Sequence, residues 1–123
     1  MRTYIAILGL LILSSCSLFQ PQYTPAEHQV LQGKASYVID GETFYFSFDC
    51  GKFKSRLSGI HAPGMTEKNG RESFEFLRSL IHQKNVQIEY LQTDADGRWI
   101  VNAHLAAGED IAQLVQGFLD KLH

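Results

Sequence analysis

Charged side chains that could bind phosphate or a cation are concentrated at three predicted turns. Arg56 and Arg98 each carry a planar guanidinium group, which suits phosphate oxygens. Asp40 and Glu42 carry carboxylate oxygens, which suit a hard cation. Each residue also has a purely structural interpretation, because an exposed strand arginine often pairs with a carboxylate and an Asp-Gly pair is a common hairpin turn.

Three strands must position the first two of these turns. Residues 34–39 lead into the turn at Asp40, and residues 43–48 alternate apolar and polar side chains with the period of a strand. Residues 52–60 form the third predicted strand, which carries Arg56. We therefore expect the turn at Asp40 and the side chain of Arg56 to belong to one sheet.

The second half of the sequence alternates helix and strand patterns. Apolar side chains recur at helical spacing from Gly70 to Ile81, residues 86–91 alternate as a strand, and Arg98 opens a fifth strand that ends near Leu105. A closing helix begins near Glu109, and its apolar stripe, with Phe118 included, is expected to cap the sheet. The order β-β-β-α-β-β-α predicts a mainly β (α+β) protein, either a five-stranded OB-type barrel or an α+β sandwich.

Composition restricts the function classes. The 123 residues are 45% hydrophobic and 20% charged, which is typical of one globular domain and excludes a disordered or low-complexity chain. Eleven Lys and Arg against 13 Asp and Glu give a net charge of −2. This balance argues against tight, non-specific nucleic-acid binding driven by counterion release.

Three motifs follow one another along the chain: VIDGET at residues 38–43, RLSGIHAP at residues 56–63 and DADGR at residues 94–98. Together they resemble the signatures of the staphylococcal-nuclease-like (thermonuclease) family, V-I-D-G-D-T, R-L-x-G-I-D-A-P-E and D-x-Y-G-R. The KNGRE segment at residues 68–72 is similar to the family's approach to its first helix. The resemblance covers residues 33–120 and implies an OB-type barrel with an active site in a cleft on its wall.

The resemblance also implies site residues. Members of the family hydrolyse nucleic-acid phosphodiesters with two carboxylates that hold Ca²⁺, a glutamate that acts on water, and two arginines that stabilise charge on phosphorus. By position, Arg56 and Arg98 match the two arginines, and Glu42 stands where the family has a ligand aspartate. Asp40 and Thr43 match positions that support the loop and the metal ligands.

Two positions depart from the family pattern. His61 replaces the second ligand aspartate, and Gly64 replaces the glutamate that follows proline. Three hypotheses follow: a domain that binds single-stranded nucleic acid or another phosphate-bearing ligand with weak or lost nuclease activity; an active nuclease that uses Ca²⁺; or a nuclease in which Glu42 and His61 bind Mn²⁺ or Zn²⁺. The first of these is compatible with no metal at all.

The N-terminus has the pattern of a targeting signal. Met1 and Arg2 precede about ten apolar residues, and Leu13-Ser14-Ser15-Cys16 resembles a bacterial lipobox. We expect a signal peptide over residues 1–15, lipidation of Cys16, a tether over residues 16–32 and a folded domain over residues 33–123. The predicted location is the cell envelope, at the outer membrane rather than the inner one, with the membrane as a partner through the lipid anchor.

Overall fold

Five strands close into a barrel, and two helices pack against it. The computed structural model describes residues 23–122, with elements β1 (Val30–Val38), β2 (Thr43–Phe48), β3 (Gly51–Leu57), α1 (Gly70–Ile81), β4 (Asn85–Thr93), β5 (Trp99–Leu105) and α2 (Ile111–Lys121). The predicted order β-β-β-α-β-β-α is confirmed, and the closed barrel agrees with an OB-type fold rather than with a sandwich.

The strand order around the barrel is β1-β2-β3-β5-β4, and β4 returns to pair with β1. Neighbouring strands are antiparallel except for β3 and β5, which run parallel. In that parallel pair Ser55 lies opposite Trp99 and Arg56 opposite Ile100. The crossover through α1 therefore brings two distant charged segments of the sequence to adjacent strands.

The side-chain alternation of each strand separates the core from the outer surface. Phe44 and Phe46 on β2 are fully buried, whereas Tyr45 between them faces outward and is half-buried. Leu57 on β3 and Val101 on β5 join them inside the barrel. Residues with the opposite parity on β3 and β5 consequently lie on the outer wall.

Two strand boundaries differ by three or more residues from the sequence-based expectation. Strand β1 begins at Val30 and not at residue 34, because the backbone from Val30 to Lys34 pairs with β4. The end of the predicted tether is thus part of the sheet, and Tyr23 also packs beside Phe48 with ring centroids 5.6 Å apart. Strand β3 ends at Leu57 and not at residue 60, where its pairing with β5 also ends.

The predicted signal peptide, Cys16 and the first part of the predicted tether lie outside the described residues. Within residues 23–122, neither helix combines the length and the apolar composition needed to cross a bilayer.

The closing helix α2 packs on the barrel through Ile111, Val115 and Leu119, which are buried. Phe118 is only half-buried, because its ring lies over the ring of Phe76 on α1. The two rings are stacked with centroids 4.3 Å apart and planes 9° apart. Phe118 therefore joins the two helices rather than capping the barrel.

We expect Leu119→Ala to lower the free energy of unfolding by about 2–5 kcal/mol, because it would leave a cavity in the core. Phe118→Ala should cost only about 1–2 kcal/mol, since it removes a stacked pair and partial burial. Denaturant unfolding of the two variants, which change neighbouring residues of one helix, measures the difference. An equal or larger cost for Phe118→Ala would contradict this packing.

Candidate functional site

The carboxylate of Glu42 is the centre of the candidate site. Nε of Arg56 donates a hydrogen bond to Oε2 of Glu42 at 2.8 Å, and the backbone N–H of Ala62 donates to Oε1 at 2.7 Å. Glu42 is only 8% exposed. Both oxygens of a buried charge are thus satisfied, and the β1–β2 turn is joined to β3 and to the loop that follows β3.

The turn that presents Glu42 is held by Asp40 and by close packing. Oδ1 of Asp40 accepts a hydrogen bond from the backbone N–H of Glu42 at 2.9 Å. A Cβ on Gly41 would lie 2.7 Å from the Cβ of Ser73, so only glycine allows the turn to pack this closely on α1. Asp40 therefore holds the backbone of the turn at Glu42.

Thr43 follows this turn at the start of β2, directly opposite Arg56 on β3. Its side chain is 1% exposed, and within residues 23–122 its Oγ1 has no hydrogen-bond partner. A buried hydroxyl thus lies at the start of β2, in register with Arg56, without a hydrogen bond to the Glu42–Arg56 pair.

Arg98 is held in a similar way by its own turn. Oδ1 of Asp94 accepts hydrogen bonds from the backbone N–H groups of Asp96 and Arg98, and Oδ2 accepts one from Nε of Arg98, all at 2.9 Å. Gly97 completes the turn with φ at +84°, a conformation that favours glycine. One carboxylate thus fixes both the backbone and the guanidinium of the residue that precedes β5.

The same contacts determine the ionisation of Asp94. Burial alone would raise the pKa of its carboxyl group, but hydrogen bonds from the backbone and the side chain of Arg98 act in the opposite direction and prevail. The pKa of Asp94 therefore lies below its ordinary value. Near neutral pH Asp94 is ionised and remains a partner for Arg98.

Arg56 and Arg98 lie on the same outer wall of the barrel. Arg56 is paired with Ile100, and Arg98 lies two residues before Ile100, immediately before β5, so the two arginines share a side-chain parity on neighbouring segments of the wall. Each side chain is 26% exposed. Each binds its carboxylate through Nε, and within residues 23–122 the terminal nitrogens of Arg56 have no hydrogen-bond partner.

Lys54 is a neighbour of both arginines that the sequence analysis did not single out as a site residue. It precedes Arg56 by two residues on β3, and the register of β3 with β5 places it level with Arg98. Its side chain is exposed. The alternation of Lys52, Lys54 and Arg56 was the signal that could have identified it.

His61 and Gly64, which differ from the family pattern, lie in the loop between β3 and α1. His61 is exposed and lines a cleft of about 260 Å³ that also contains Glu67 and Leu119. The backbone N–H of Glu67 donates to the carbonyl of Gly64 at 2.9 Å, so a tight turn brings Glu67 back over Gly64. A Cβ on Gly64 would lie 3.4 Å from Oε2 of Glu67.

The donor set near Glu42 does not fit a calcium site. Ca²⁺ takes six to eight oxygen ligands, whereas both oxygens of Glu42 are already bonded to protein donors and His61 offers a nitrogen. Across the part of the chain that the structure describes, no group of three or more His, Cys, Asp or Glu side chains is placed to hold a metal ion. Metal binding by Glu42 and His61, whether Ca²⁺, Mn²⁺ or Zn²⁺, stays a prediction.

The chain has weak sequence similarity to known proteins. No family model matches the chain. Over 85 residues the chain is 28% identical to a protein of Escherichia coli O157:H7 and to one of Escherichia coli, each described as an "Uncharacterized endonuclease". The match includes 69% of this chain and 56% of each relative, so the chain spans about half the length of the curated relatives it matches.

Proposed function

We propose that this chain contains a nuclease-like domain of the thermonuclease type that binds phosphodiester ligands such as single-stranded nucleic acid, with weak or no nuclease activity. The distant similarity to endonucleases supports a nuclease-like domain. The observation that carries the proposal is the fixed pair Arg56 and Arg98. Each guanidinium is anchored through Nε, so its terminal nitrogens are oriented in advance for phosphate oxygens.

We propose little or no turnover because the acidic side chains that hydrolysis would need are missing or are bound to other groups. Gly64 has no side chain to act on water, and loss of a general base typically lowers a rate by about 10²–10⁴-fold. Glu42 is committed to Arg56 and to the backbone of Ala62. The side chains that remain, Arg56 and Arg98, are suited to bind a phosphate group rather than to cleave a phosphodiester bond.

An active metal-dependent nuclease is the second candidate, and the names of the two relatives favour it. It requires a metal bound by Glu42 and His61. Glu42 would have to give up its hydrogen bond to either Arg56 or the Ala62 backbone in order to bind that metal. The two candidates differ in whether strand cleavage accompanies binding.

Binding of a thymidine dinucleotide to the full chain, followed by fluorescence anisotropy, tests the phosphate site. Arg56→Lys and Arg98→Lys keep the positive charge but remove the planar guanidinium group, which can donate two hydrogen bonds to one phosphate. We therefore expect each variant to weaken binding about tenfold or more. Arg78→Lys, on an exposed face of α1, is the matched control and should have no effect. Equal affinities for all three variants would overturn the site.

Cleavage of single-stranded DNA in Ca²⁺, Mn²⁺ or Zn²⁺ separates the two candidates. The unmodified chain should cleave little, whereas the double variant His61→Asp with Gly64→Glu should gain Ca²⁺-dependent cleavage. His61→Asp alone should mainly improve metal affinity, and Gly64→Glu alone should do little. Brisk cleavage by the unmodified chain in any of the three metals would favour the second candidate and contradict the first.

For location, we infer a lipid anchor at Cys16 from the lipobox-like boundary, with the domain in the cell envelope at the outer membrane. Each buried methylene of an acyl chain contributes about 0.8 kcal/mol, so several chains would hold the domain at the membrane.

Cys16→Ser should move the protein from the membrane fraction to a soluble or unprocessed form, as fractionation and immunoblotting would measure. Cys50→Ser is the matched control, because Cys50 is the other cysteine of the sequence and lies outside the lipobox-like boundary. A general effect of replacing a cysteine would appear in both variants. Release of Cys16→Ser alone supports lipidation, and unchanged or identical partitioning of the two variants would contradict it.

A further inference from the structure

Beside the arginine pair, the outer face of β1, β2 and β3 carries a surface that the proposed function does not use. The sheet register places Lys34 opposite Ser47, and Ser47 opposite Lys52, in one row across the three strands. The next row contains two tyrosines and a lysine, which are Tyr37, Tyr45 and Lys54. We call the five large residues of these rows the basic-aromatic stripe: Lys34, Tyr37, Tyr45, Lys52 and Lys54.

The stripe is continuous with the candidate site. Lys54 lies level with Arg98 and two residues before Arg56 on the same face of β3. With the two arginines, the stripe holds five of the protein's 11 Lys and Arg residues. A chain of net charge −2 thus places nearly half of its cations on one side of its barrel.

The acidic groups near the stripe are mostly committed to other partners. Glu42 binds Arg56, and Asp94 binds Arg98. Asp96 is 3.6 Å from Arg98 and highly exposed, so it neutralises little. Asp49 is exposed in the β2–β3 turn, beyond Lys52. The three lysines of the stripe have no ion-pair partner within residues 23–122.

The two tyrosines differ in what covers them. Nζ of Lys52 lies 5.8 Å from the ring centroid of Tyr45, which occupies one face of that ring. Tyr37 is 57% exposed, and a bulge in β1 at residue 36 turns it to the outer face. Tyr37 therefore offers an open aromatic ring on the face that also carries the three lysines.

We propose that a single nucleic-acid strand lies along the basic-aromatic stripe and leads its backbone to Arg56 and Arg98. The lysines contact phosphates, and one base stacks on Tyr37, which is how strands are held without sequence preference. This inference rests on the proposed function, which it extends from one phosphate site to a path for several nucleotides. An anionic membrane fits less well, because Tyr37 is the one exposed large apolar side chain among the five residues of the stripe.

The test compares a thymidine dinucleotide with an oligothymidylate of about twelve nucleotides, a length within the range one OB-type barrel covers. Lys34→Ala and Lys52→Ala together, in the row of the stripe farther from the arginines, should leave dinucleotide affinity within about twofold. For the longer strand, they should reduce the slope of log affinity against log salt by about 0.7 for each lost phosphate contact. Lys121→Ala, at the end of α2, is the matched control for charge.

Variants of Tyr37 test the stripe independently of its lysines. Tyr37→Ala should weaken binding of the longer strand about fivefold or more, and Tyr37→Phe should restore it, because stacking needs the ring and not the hydroxyl group. All of these side chains are exposed or half-buried, so thermal unfolding of each variant should match the parent. Unchanged affinity and salt slope in the lysine and Tyr37→Ala variants would overturn the stripe.

Failure of the stripe and failure of the proposed function give different results. If Arg56→Lys weakens dinucleotide binding while the stripe variants change nothing, the phosphate site stands and the path is wrong. If Arg56→Lys has no effect, the proposed function fails and the path loses its end point. Binding to vesicles of equal parts phosphatidylglycerol and phosphatidylcholine is the third arm. Loss of vesicle binding with unchanged oligonucleotide binding in the lysine variants would assign the stripe to lipid and overturn the proposal.

Discussion

The buried carboxylate of Glu42 is the interaction on which the site depends. Its two oxygens join three segments that are separated in sequence, namely the β1–β2 turn, strand β3 at Arg56 and the loop at Ala62. A buried charge is tolerated only where its lone pairs are satisfied, so loss of either donor would destabilise all three segments. The hydrogen bond from Nε of Arg56 to Glu42 also fixes the direction in which the Arg56 side chain points.

This arrangement gives each arginine of the site a carboxylate partner that its Nε binds. The guanidinium of Arg56 neutralises Glu42 through Nε and keeps its terminal nitrogens available. Arg98 repeats the pattern with Asp94, which also organises the turn before β5. Structural and ligand-binding roles thus use different nitrogens of one side chain, so that each arginine can serve both at once.

Much of the fold could be predicted because its determinants are local. The alternation of Phe44, Tyr45 and Phe46 predicts strand β2 with its correct inner face. The start of β1 was missed because its first residues are held by backbone pairing with β4, which requires no apolar pattern. The burial of Phe118 was overestimated because a helical stripe does not tell which of its residues meets a second helix.

The candidate site was less predictable, because its contacts cross the fold. Arg56 pairs with Glu42, which lies 14 residues away in sequence. The structural interpretation of a strand arginine predicts a carboxylate partner but does not identify which one. Net charge was a poor guide to the outer wall, since a whole-chain sum of −2 hides a local cluster of lysines around Tyr37. Only strand register shows which of these lysines share a face.

In the proposed site, Glu42 orients Arg56 for phosphate, and its two oxygens stay with their protein donors instead of binding a metal. An NMR titration of the isotope-labelled full chain tests it, with the Ala62 amide reporting on Glu42 and the Arg56 Nε–H reporting on the guanidinium. Added Ca²⁺ should leave both signals in place, and a thymidine dinucleotide should then shift the Arg56 signal. A saturable shift of the Ala62 amide with Ca²⁺ alone would show that Glu42 exchanges its protein donors for the cation, and would contradict this account.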